Sequence, residues 1–280
     1  MGILGVIGGS GLYELEELKN IEEIQVDTPF GRPSDVLIKG ELHGKPVIFL
    51  PRHGKNHRIP PSDVNYRANI YALKVAGVRK ILSVSAVGSM REEIRPGDMV
   101  IVSQFIDRTS GRKSTFFTDN IVAHVSFADP VCKKLSEILY NVSKKIRERT
   151  HRDATYICIN GPQFSTRAES HLYRSWGVDI IGMTNLPEAK LAREAGICYA
   201  TLALATDYDC WREADDVNAF DVVKIIKQNV ETAKKIVIEL LDNLTFEECE
   251  CQHSLDYALL TNKDVVPEET WERLKPIIDK

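Results

Sequence analysis

Short apolar runs recur along the chain, and each run is bounded by glycine, proline or charged residues. Runs of this kind are typical of β-strands. The predicted strands are Ile3–Ile7, Val36–Ile38, Val47–Leu50, Lys80–Val84, Asp98–Ile106, Ala154–Ile159 and Cys198–Ala205. Apolar residues spaced by three and four predict helices over Asp63–Ala76, Asp129–Ile146, Glu188–Ala195, Ala219–Leu244 and Pro267–Ile278. Because strands alternate with helices, the pattern predicts an α/β fold with a mixed, largely parallel central sheet flanked by helices.

The composition fits a single globular domain over residues 1–280, since no repeat, low-complexity tract or Pro/Gly-rich linker divides the chain. Charged residues make up 27% and the formal net charge is −4, which does not suggest the basic surface of a nucleic-acid-binding protein. No apolar run reaches the roughly 18 residues of a membrane span, and the N-terminus shows no basic leader or cleavage site. We therefore expect a cytoplasmic protein that binds neither nucleic acid nor membranes.

Two of the six cysteines, Cys249 and Cys251, are separated by a single residue. This spacing is too short for the usual zinc motif, and no second pair follows. His253 offers one further ligand, which is fewer than a structural zinc site needs. The sequence therefore predicts no metal site, and it leaves open whether these cysteines are free thiols or form a disulfide.

Glycine-rich and polar residues follow three of the predicted strands. Ser10 lies in a Gly-Gly-Ser-Gly turn after the first strand, Arg52 and His53 follow the third, and Ser85 and Ala86 follow the fourth. Glycines let the backbone approach an anion, and an arginine offers a planar fork of donors. Because converging loops can build one pocket, these residues predict an anion site.

Two carboxylates, Asp207 and Asp209, follow the last predicted strand. Ligand sites in α/β proteins gather at the carboxyl ends of strands. A partly desolvated carboxyl there has a raised pKa and can carry a proton near neutrality. The alternative is a loop with two solvated acids. In a further segment, Phe164 offers a stacking face beside Ser165, although a helix start with a buried phenylalanine explains the same pattern.

The ordered set of motifs resembles the methylthioadenosine phosphorylases, within the trimeric purine nucleoside phosphorylase family. The matching segments run through nearly the whole chain: residues 8–12, 27–35, 52–54, 65–69, 88–98, 104–109, 161–170, 195–200 and 205–211. In this family, phosphate attacks the anomeric carbon of a nucleoside and the purine leaves. The resemblance therefore implies phosphorolysis, with no metal or organic cofactor and with phosphate as co-substrate.

The resemblance also implies roles for individual residues. Those implied for phosphate are Ser10, Arg52, His53, Ser85, the Ala86 backbone and Thr184. Met183 is expected under the ribose, Phe164 and Ser165 beside the base, and Asp207 at the purine N7 as the proton donor. Phe220 and Val223 are expected in a 5′-methylthio pocket, to which a neighbouring subunit adds His124; the same two apolar residues would also serve simply as core. Two departures from the family pattern are Phe220, where a valine is expected, and Gly182, where an asparagine is expected.

Polarity predicts which purine is accepted. The branch of the family that acts on 6-oxopurines has a glutamate and an asparagine at the positions of Ser165 and Asp207. Two carboxylates, Asp207 and Asp209, suit an amino group and a protonated N7, and a mismatched buried polar group costs about 1–3 kcal/mol. The predicted reaction therefore converts 5′-methylthioadenosine and phosphate to adenine and 5-methylthioribose-1-phosphate.

Three alternatives stay open at this stage: a broader purine nucleoside phosphorylase that also accepts adenosine or inosine, a nicotinamide-dependent oxidoreductase that uses the glycine-rich turn, and a non-catalytic nucleoside-binding protein. The turn lacks the third glycine of GxGxxG, which disfavours the second. The resemblance further implies a homo-oligomer, either a trimer or a dimer of trimers. It also implies a disulfide between Cys249 and Cys251, as in the hyperthermophilic archaeal members.

Overall fold

The computed structural model describes residues 2–9, 11–212 and 219–279, with the side chains of residues 219–223 left out. Within these residues it has nine strands: β1 Ile3–Gly8, β2 Lys19–Ile24, β3 Leu37–Leu42, β4 Lys45–Pro51, β5 Val78–Ser89, β6 Met99–Arg108, β7 Thr150–Ile159, β8 Ile180–Gly182 and β9 Cys198–Asp207. The helices are α1 Tyr66–Val75, α2 Lys133–Ile146, α3 Arg167–Ser175, α4 Asn185–Glu194, α5 Ala219–Asn243 and α6 Glu268–Ile278. No helix of the described part of the chain is long and apolar enough to span a bilayer.

The strands form one mixed sheet in the order β2-β3-β4-β1-β5-β8-β7-β6-β9, and β9 also pairs with β5. The second pairing closes β5, β8, β7, β6 and β9 into a ring, from which β1, β4, β3 and β2 extend as an open arm. Strands β1, β4, β5 and β9 run parallel to one another. Their carboxyl ends therefore lie at one edge of the sheet, where ligand sites form in such folds. The predicted α/β class and mixed sheet are confirmed.

Local sequence explains where the helices begin. Asn65 caps α1 by accepting a hydrogen bond from the backbone N–H of Ala68, so the helix starts three residues after the predicted Asp63. Helix α2 begins at Lys133 rather than at the predicted Asp129, because Pro130 favours an extended preceding residue. Helix α3 starts with a capping box, in which Thr166 and Glu169 satisfy each other's backbone donors.

Two strands were not predicted from the apolar runs of the sequence. Strand β2 is an exposed edge strand with the sequence KNIEEI, whose charged residues also protect the edge from further pairing. Strand β8 has only three residues, yet it lies between β5 and β7. Buried apolar side chains fill both faces of the sheet, with Ile7 and Ile81 on one face and Leu4 and Leu82 on the other. The sheet is thereby fixed between two helical layers, which holds its carboxyl edge rigid.

Candidate active site

The carboxyl ends of β1, β4, β5 and β9 surround a cavity of about 410 Å³. Ten of the residues predicted from the sequence line it: Arg52, His53, Ser85, Ala86, Phe164, Ser165, Met183, Thr184, Asp207 and Asp209. They come from segments that are far apart in the chain, as expected for loops that converge at one sheet edge. A volume of this size lies within the range of small-molecule sites.

Hydroxyl groups gather at one end of the cavity. The Ser85 Oγ lies 3.2 Å from the Thr184 Oγ1 and 3.3 Å from the hydroxyl of Tyr156. Tyr156 is fully buried on β7, and its hydroxyl also accepts from the Thr184 backbone N–H at 3.5 Å, so it holds both residues in place. Both Ser85 and Thr184 are buried. Their hydroxyls form a pair of donors for an anion, which is consistent with the predicted phosphate end.

The guanidinium of Arg52 lies beneath this end, but its fork is already paired. Its Nε and Nη2 donate to the two carboxylate oxygens of Glu188 at 2.8 and 3.0 Å, and its Nη1 donates to the Val84 carbonyl at 3.0 Å. Burial by itself lowers the pKa of Arg52, but the Glu188 charge and hydrogen bonds raise it above its ordinary value. Arg52 still lines the cavity. Contact with phosphate therefore stays a prediction and involves at most the remaining Nη1 hydrogen.

His53 is held as a neutral ring. Its Nδ1 lies 2.9 Å from the carbonyl of Ile59; since a carbonyl only accepts, Nδ1 carries the hydrogen. Burial, followed by the charge of Arg52, lowers the pKa of His53 to about 4. The Nε2 atom is therefore an acceptor at neutral pH. In that state His53 can accept a hydrogen bond from a protonated phosphate oxygen.

At the other end of the cavity lies the carboxyl of Asp207, which accepts two hydrogen bonds. Its Oδ1 accepts from the Asp209 backbone N–H at 2.8 Å, and its Oδ2 lies 2.6 Å from the Thr206 Oγ1. That hydroxyl also lies 3.1 Å from the Val87 carbonyl. The single hydroxyl hydrogen of Thr206 is therefore shared between the Asp207 carboxyl and the Val87 carbonyl. Burial raises the pKa of Asp207, although the hydrogen bonds from Thr206 and Asp209 lower it in part.

Asp209 lies at the same end of the cavity as Asp207, but its carboxylate is bonded to Ser170. Its Oδ2 accepts from the hydroxyl of Ser170 at 2.5 Å, and the residue has a left-handed backbone with φ 50°. Burial raises its pKa, and the Ser170 hydrogen bond opposes that shift. Gly88, the register partner of Asp207, leaves room for both carboxyls, because a Cβ there would lie 3.1 Å from Asp207 and 3.3 Å from Asp209.

The segment before α3 forms the rim of the cavity. Phe164 is 71% exposed, which overturns the alternative of a buried phenylalanine at a helix start. The hydroxyl oxygen of Ser165 is buried and has no hydrogen-bond partner among the described residues. A buried polar atom without a partner is costly unless a ligand satisfies it. The rim therefore combines a free aromatic face with an unsatisfied hydroxyl.

Sequence reasoning missed the residue that positions Met183. The Arg112 guanidinium donates to the carbonyls of Met183 and Leu186 at 2.9 and 2.5 Å, and to that of Asn160 at 3.0 Å. It thereby ties the loop after β7 to the loop after β8. The sequence gives no signal for this, because Arg112 lies in an irregular segment far from both loops.

The glycine at position 182, identified from the sequence as a departure, has a packing reason. A Cβ there would lie 2.0 Å from the Tyr156 hydroxyl. We expect Gly182→Ala to displace Tyr156, to destabilise the fold by about 1–3 kcal/mol through overpacking, and to raise the KM for phosphate because Ser85 and Thr184 lose their partner. Urea unfolding and phosphate titrations measure both effects. Adding Tyr156→Phe to Gly182→Ala should recover only part of the stability, because the ring carbon that bore the hydroxyl would still lie 2.6 Å from the new Cβ; if it recovers none, the clash is not the cause.

Four predicted site residues are not seen in the cavity. Ser10 and the side chains of Phe220 and Val223 lie outside the described residues. His124 is exposed, and it is not among the described residues that line the cavity of its own chain. Helix α5 nevertheless reaches the cavity through Ile226 and Val230, which with Leu12 form an apolar wall. The helical spacing that continues from Val223 was the signal for these two residues.

Comparison with known proteins places the chain among phosphorylases. A family model described as the phosphorylase superfamily matches residues 3–242. An S-methyl-5′-thioadenosine phosphorylase of Geobacter sulfurreducens is 57% identical over 279 residues, which cover 99% of this chain and 98% of that protein. One of Hyperthermus butylicus is 53% identical over 262 residues, which cover 92% of this chain and 95% of that protein.

Solved structures agree with these relatives. A methylthioadenosine phosphorylase from an Antarctic soil metagenomic library is 48% identical, with a TM-score of 0.95 over 99% of this chain and 98% of that one. A methylthioadenosine phosphorylase from Schistosoma mansoni in complex with adenine is 36% identical, with a TM-score of 0.87 over 92% of this chain and 99% of that one. The likeness therefore covers nearly the whole fold.

Proposed function

This chain belongs to the phosphorylase superfamily, and we propose that it catalyses the phosphorolysis of 5′-methylthioadenosine to adenine and 5-methylthio-D-ribose-1-phosphate. The observation that carries the proposal is the pairing of two sites in one cavity. A carboxyl with a raised pKa, Asp207, lies at one end, and the hydroxyls of Ser85 and Thr184 lie at the other. The relatives named above carry the same activity in their names.

The two ends are correctly spaced for a nucleoside and phosphate. Gly88 is the register partner of Asp207 on β5, and Ser85 precedes it by three residues, which is about 10 Å along a strand. The purine then lies toward Asp207, Phe164 and Ser165. The ribose lies between the two ends, next to Met183, and phosphate lies against Ser85 and Thr184.

Asp207 acts on the leaving group. As the glycosidic bond breaks, electron density builds on the purine, and a carboxylic acid at N7 can donate its proton to the departing base. Burial raises the pKa of Asp207, which favours the protonated carboxyl compared with an exposed aspartate. The Thr206 hydroxyl and the Asp209 backbone N–H both donate to the Asp207 carboxyl, which fixes its orientation.

The other end stabilises the positive charge that develops on the sugar. The bound phosphate anion lies below the anomeric carbon and interacts most strongly with the oxocarbenium-like transition state. Ser85, Thr184 and the Ala86 backbone hold the phosphate, and His53 accepts from its protonated oxygen. Since phosphate supplies both the nucleophile and the compensating charge, we propose that the reaction uses no metal and no organic cofactor.

Substrate choice follows from the two ends of the nucleoside. The Asp207 and Asp209 carboxyls and the orphaned Ser165 hydroxyl suit the 6-amino group and the protonated N7 of adenine. The wall of Leu12, Ile226 and Val230 suits an apolar 5′-substituent. A methylthio group gains burial there, whereas the 5′-hydroxyl of adenosine would lose hydrogen bonds with water.

We propose a trimer, or a dimer of two trimers, as the active form. The support is His124, which is exposed and lies outside its own cavity, as a residue that completes a neighbour's pocket must. Sedimentation equilibrium should give about three or six times the chain mass of 31.5 kDa; a monomer would contradict the assembly.

We also propose a cytoplasmic location, because all six cysteines have free thiols, as is usual in reducing compartments.

The test of the proposed substrate is a comparison of nucleosides at saturating phosphate. We expect kcat/KM for 5′-methylthioadenosine to exceed that for adenosine by about tenfold or more, and that for inosine by about 10–100-fold, because one mismatched buried polar group costs about 1–3 kcal/mol. Chromatography of the released bases gives the rates. Faster turnover of inosine would contradict the assignment of the base site and favour a broader purine nucleoside phosphorylase.

A further inference from the structure

Four buried cysteines meet at the end of β9 that lies away from the candidate active site. They are Cys132 at the start of α2, Cys198 at the start of β9, and Cys249 and Cys251 in the C-terminal segment. Their four sulfur atoms all lie within 4.8 Å of one another, and the Cys132 and Cys249 sulfurs are 3.8 Å apart. None of the four residues is more than 8% exposed.

We propose that these four thiols bind one Zn²⁺ ion as a tetrahedral structural site. Four thiolates at the usual Zn–S distance of about 2.3 Å lie about 3.8 Å from one another, so the separations in the structure need only a small contraction. Binding exchanges four S–H bonds for four Zn–S bonds and releases the thiol protons to solvent, with no transfer of electrons. Four protein ligands leave no open position, as in structural rather than catalytic zinc sites.

The sequence alone could not predict this site. The Cys249–Cys251 pair offers two thiols, which is why no metal was expected, and the fold adds Cys132 and Cys198. The predicted disulfide between Cys249 and Cys251 is not formed in the structure, where all six thiols are free. The two sulfurs of a disulfide lie about 2.05 Å apart. Here the four sulfurs instead form one group, in which each sulfur has the three others within 4.8 Å.

Other soft-metal groups fit the arrangement less well. Thiolate ligands favour zinc, copper(I) or iron–sulfur chemistry, and a tetrahedral set of four sulfurs favours zinc or iron. A cluster of several iron atoms places its irons and sulfides between the thiolates, and these four sulfurs are too close together for that. Zinc also has no redox chemistry and no geometric preference of its own, which suits a closed core site.

The charge of a four-thiolate site has a counterpart nearby. Lys80 is the register partner of Cys198 on β5, and paired positions of neighbouring strands face the same side of a sheet. Lys80 is only 7% exposed, and its Nζ lies 5.9 Å from the ring centre of Phe246, shortly before Cys249. A buried cation on this face offsets part of the negative charge.

The site would fasten the C-terminal segment to the sheet. Cys198 and Asp207 are the first and last residues of β9, roughly 30 Å apart along the strand. Zinc therefore lies too far from the cavity to act on substrate. Its contribution is to stability, because a metal that joins three separate parts of the chain binds only the folded state.

The test measures metal and thiols in protein purified without chelator. We expect about one zinc per chain by mass spectrometry of the metal, and a content below about a tenth of that in Cys198→Ser, because a missing ligand weakens a structural site strongly. Cys158→Ala is the matched control: Cys158 is also buried but lies outside the cluster, and its zinc content should be unchanged.

A second measurement uses the wild-type protein, so the proposal stays testable if the variants do not fold. Reduced, metal-depleted protein is titrated with Co²⁺ under anaerobic conditions, and the strong visible and thiolate charge-transfer bands of a tetrahedral sulfur site should saturate at about one equivalent. Separately, protein as purified and never reduced is denatured with chelator and alkylated, and all six cysteines should be labelled. The absence of zinc together with the absence of cobalt bands would overturn the proposal, and so would two or four unlabelled cysteines, which indicate disulfides.

Discussion

Replacing Asp207 by asparagine should lower kcat for 5′-methylthioadenosine by about 10²–10⁴-fold, the usual contribution of a positioned general acid. The amide has nearly the same shape and keeps the contacts with Thr206 and Asp209, so the fold should persist. What it loses is the acidic proton for N7. Steady-state kinetics at saturating phosphate, with circular dichroism to verify folding, measures the effect.

Asp209→Asn is the matched control for this change. Asp209 is buried nearby, but its Oδ2 is bonded to Ser170, so its replacement should reduce kcat far less. The Asp207→Asn enzyme should also gain activity on inosine, because an amide can both donate to and accept from a 6-oxopurine. Equal losses in the two variants, or an unchanged preference for adenine nucleosides, would contradict the role given to Asp207.

The dependence of kcat/KM on pH tests the role of Asp207 as a general acid independently. Burial raises the pKa of Asp207, and the protonated form is the active one. The value of kcat/KM in the wild type should therefore fall on the alkaline side as this carboxyl loses its proton. Asp207→Asn cannot titrate at that position, so its profile should lack this alkaline limb. A limb that persists unchanged in the variant would assign the titration to another group.

Replacing Glu188 by glutamine should lower the free energy of unfolding by about 3–5 kcal/mol, because it leaves the Arg52 charge buried without a counterion. Glu188 is fully buried and Arg52 is 2% exposed. Ser83 and Tyr199 also donate to the Glu188 carboxylate, at 2.7 and 2.9 Å. Denaturant unfolding of the wild type and the variant gives the difference directly.

Two controls separate the ion pair from the general effect of a substitution. Removing both charges, in Arg52→Met with Glu188→Gln, should recover part of the loss, because no unpaired charge remains and the amide oxygen still accepts from Ser83 and Tyr199. Glu272→Gln removes an exposed partner of Lys275 and should change the stability by under about 1 kcal/mol. If the double variant is as unstable as Glu188→Gln, the unpaired charge is not the cause.

Strands and helices with a clear apolar pattern could be predicted from the sequence. Those that depend on pairing with neighbouring strands could not. Strand β1 and helix α4 follow from local periodicity. Strand β8 has three residues between two longer strands, and its pairing depends on contacts that no local pattern encodes. The closure of the sheet through β5 and β9 is likewise a property of the whole fold.

In the candidate site, the residues at the ends of strands were predictable and their supports were not. Asp207 and Ser85 could be found because each follows an apolar run. Glu188 lies inside a helix and Tyr156 inside a strand. A sequence pattern predicts that polar residues at such positions are exposed, yet both are fully buried. Arg112 joins two loops from a third segment. Such contacts depend on tertiary packing, which the sequence pattern does not report.

The most direct test of the proposed reaction follows both halves of the substrate together. The protein is incubated with 5′-methylthioadenosine, with and without inorganic phosphate, while adenine is measured by chromatography and sugar phosphate by phosphorus NMR. We predict that adenine appears only with phosphate and that 5-methylthioribose-1-phosphate forms in equal amount. Adenine released at the same rate without phosphate, together with free methylthioribose, would show hydrolysis and contradict the assignment of the Ser85–Thr184 end to phosphate.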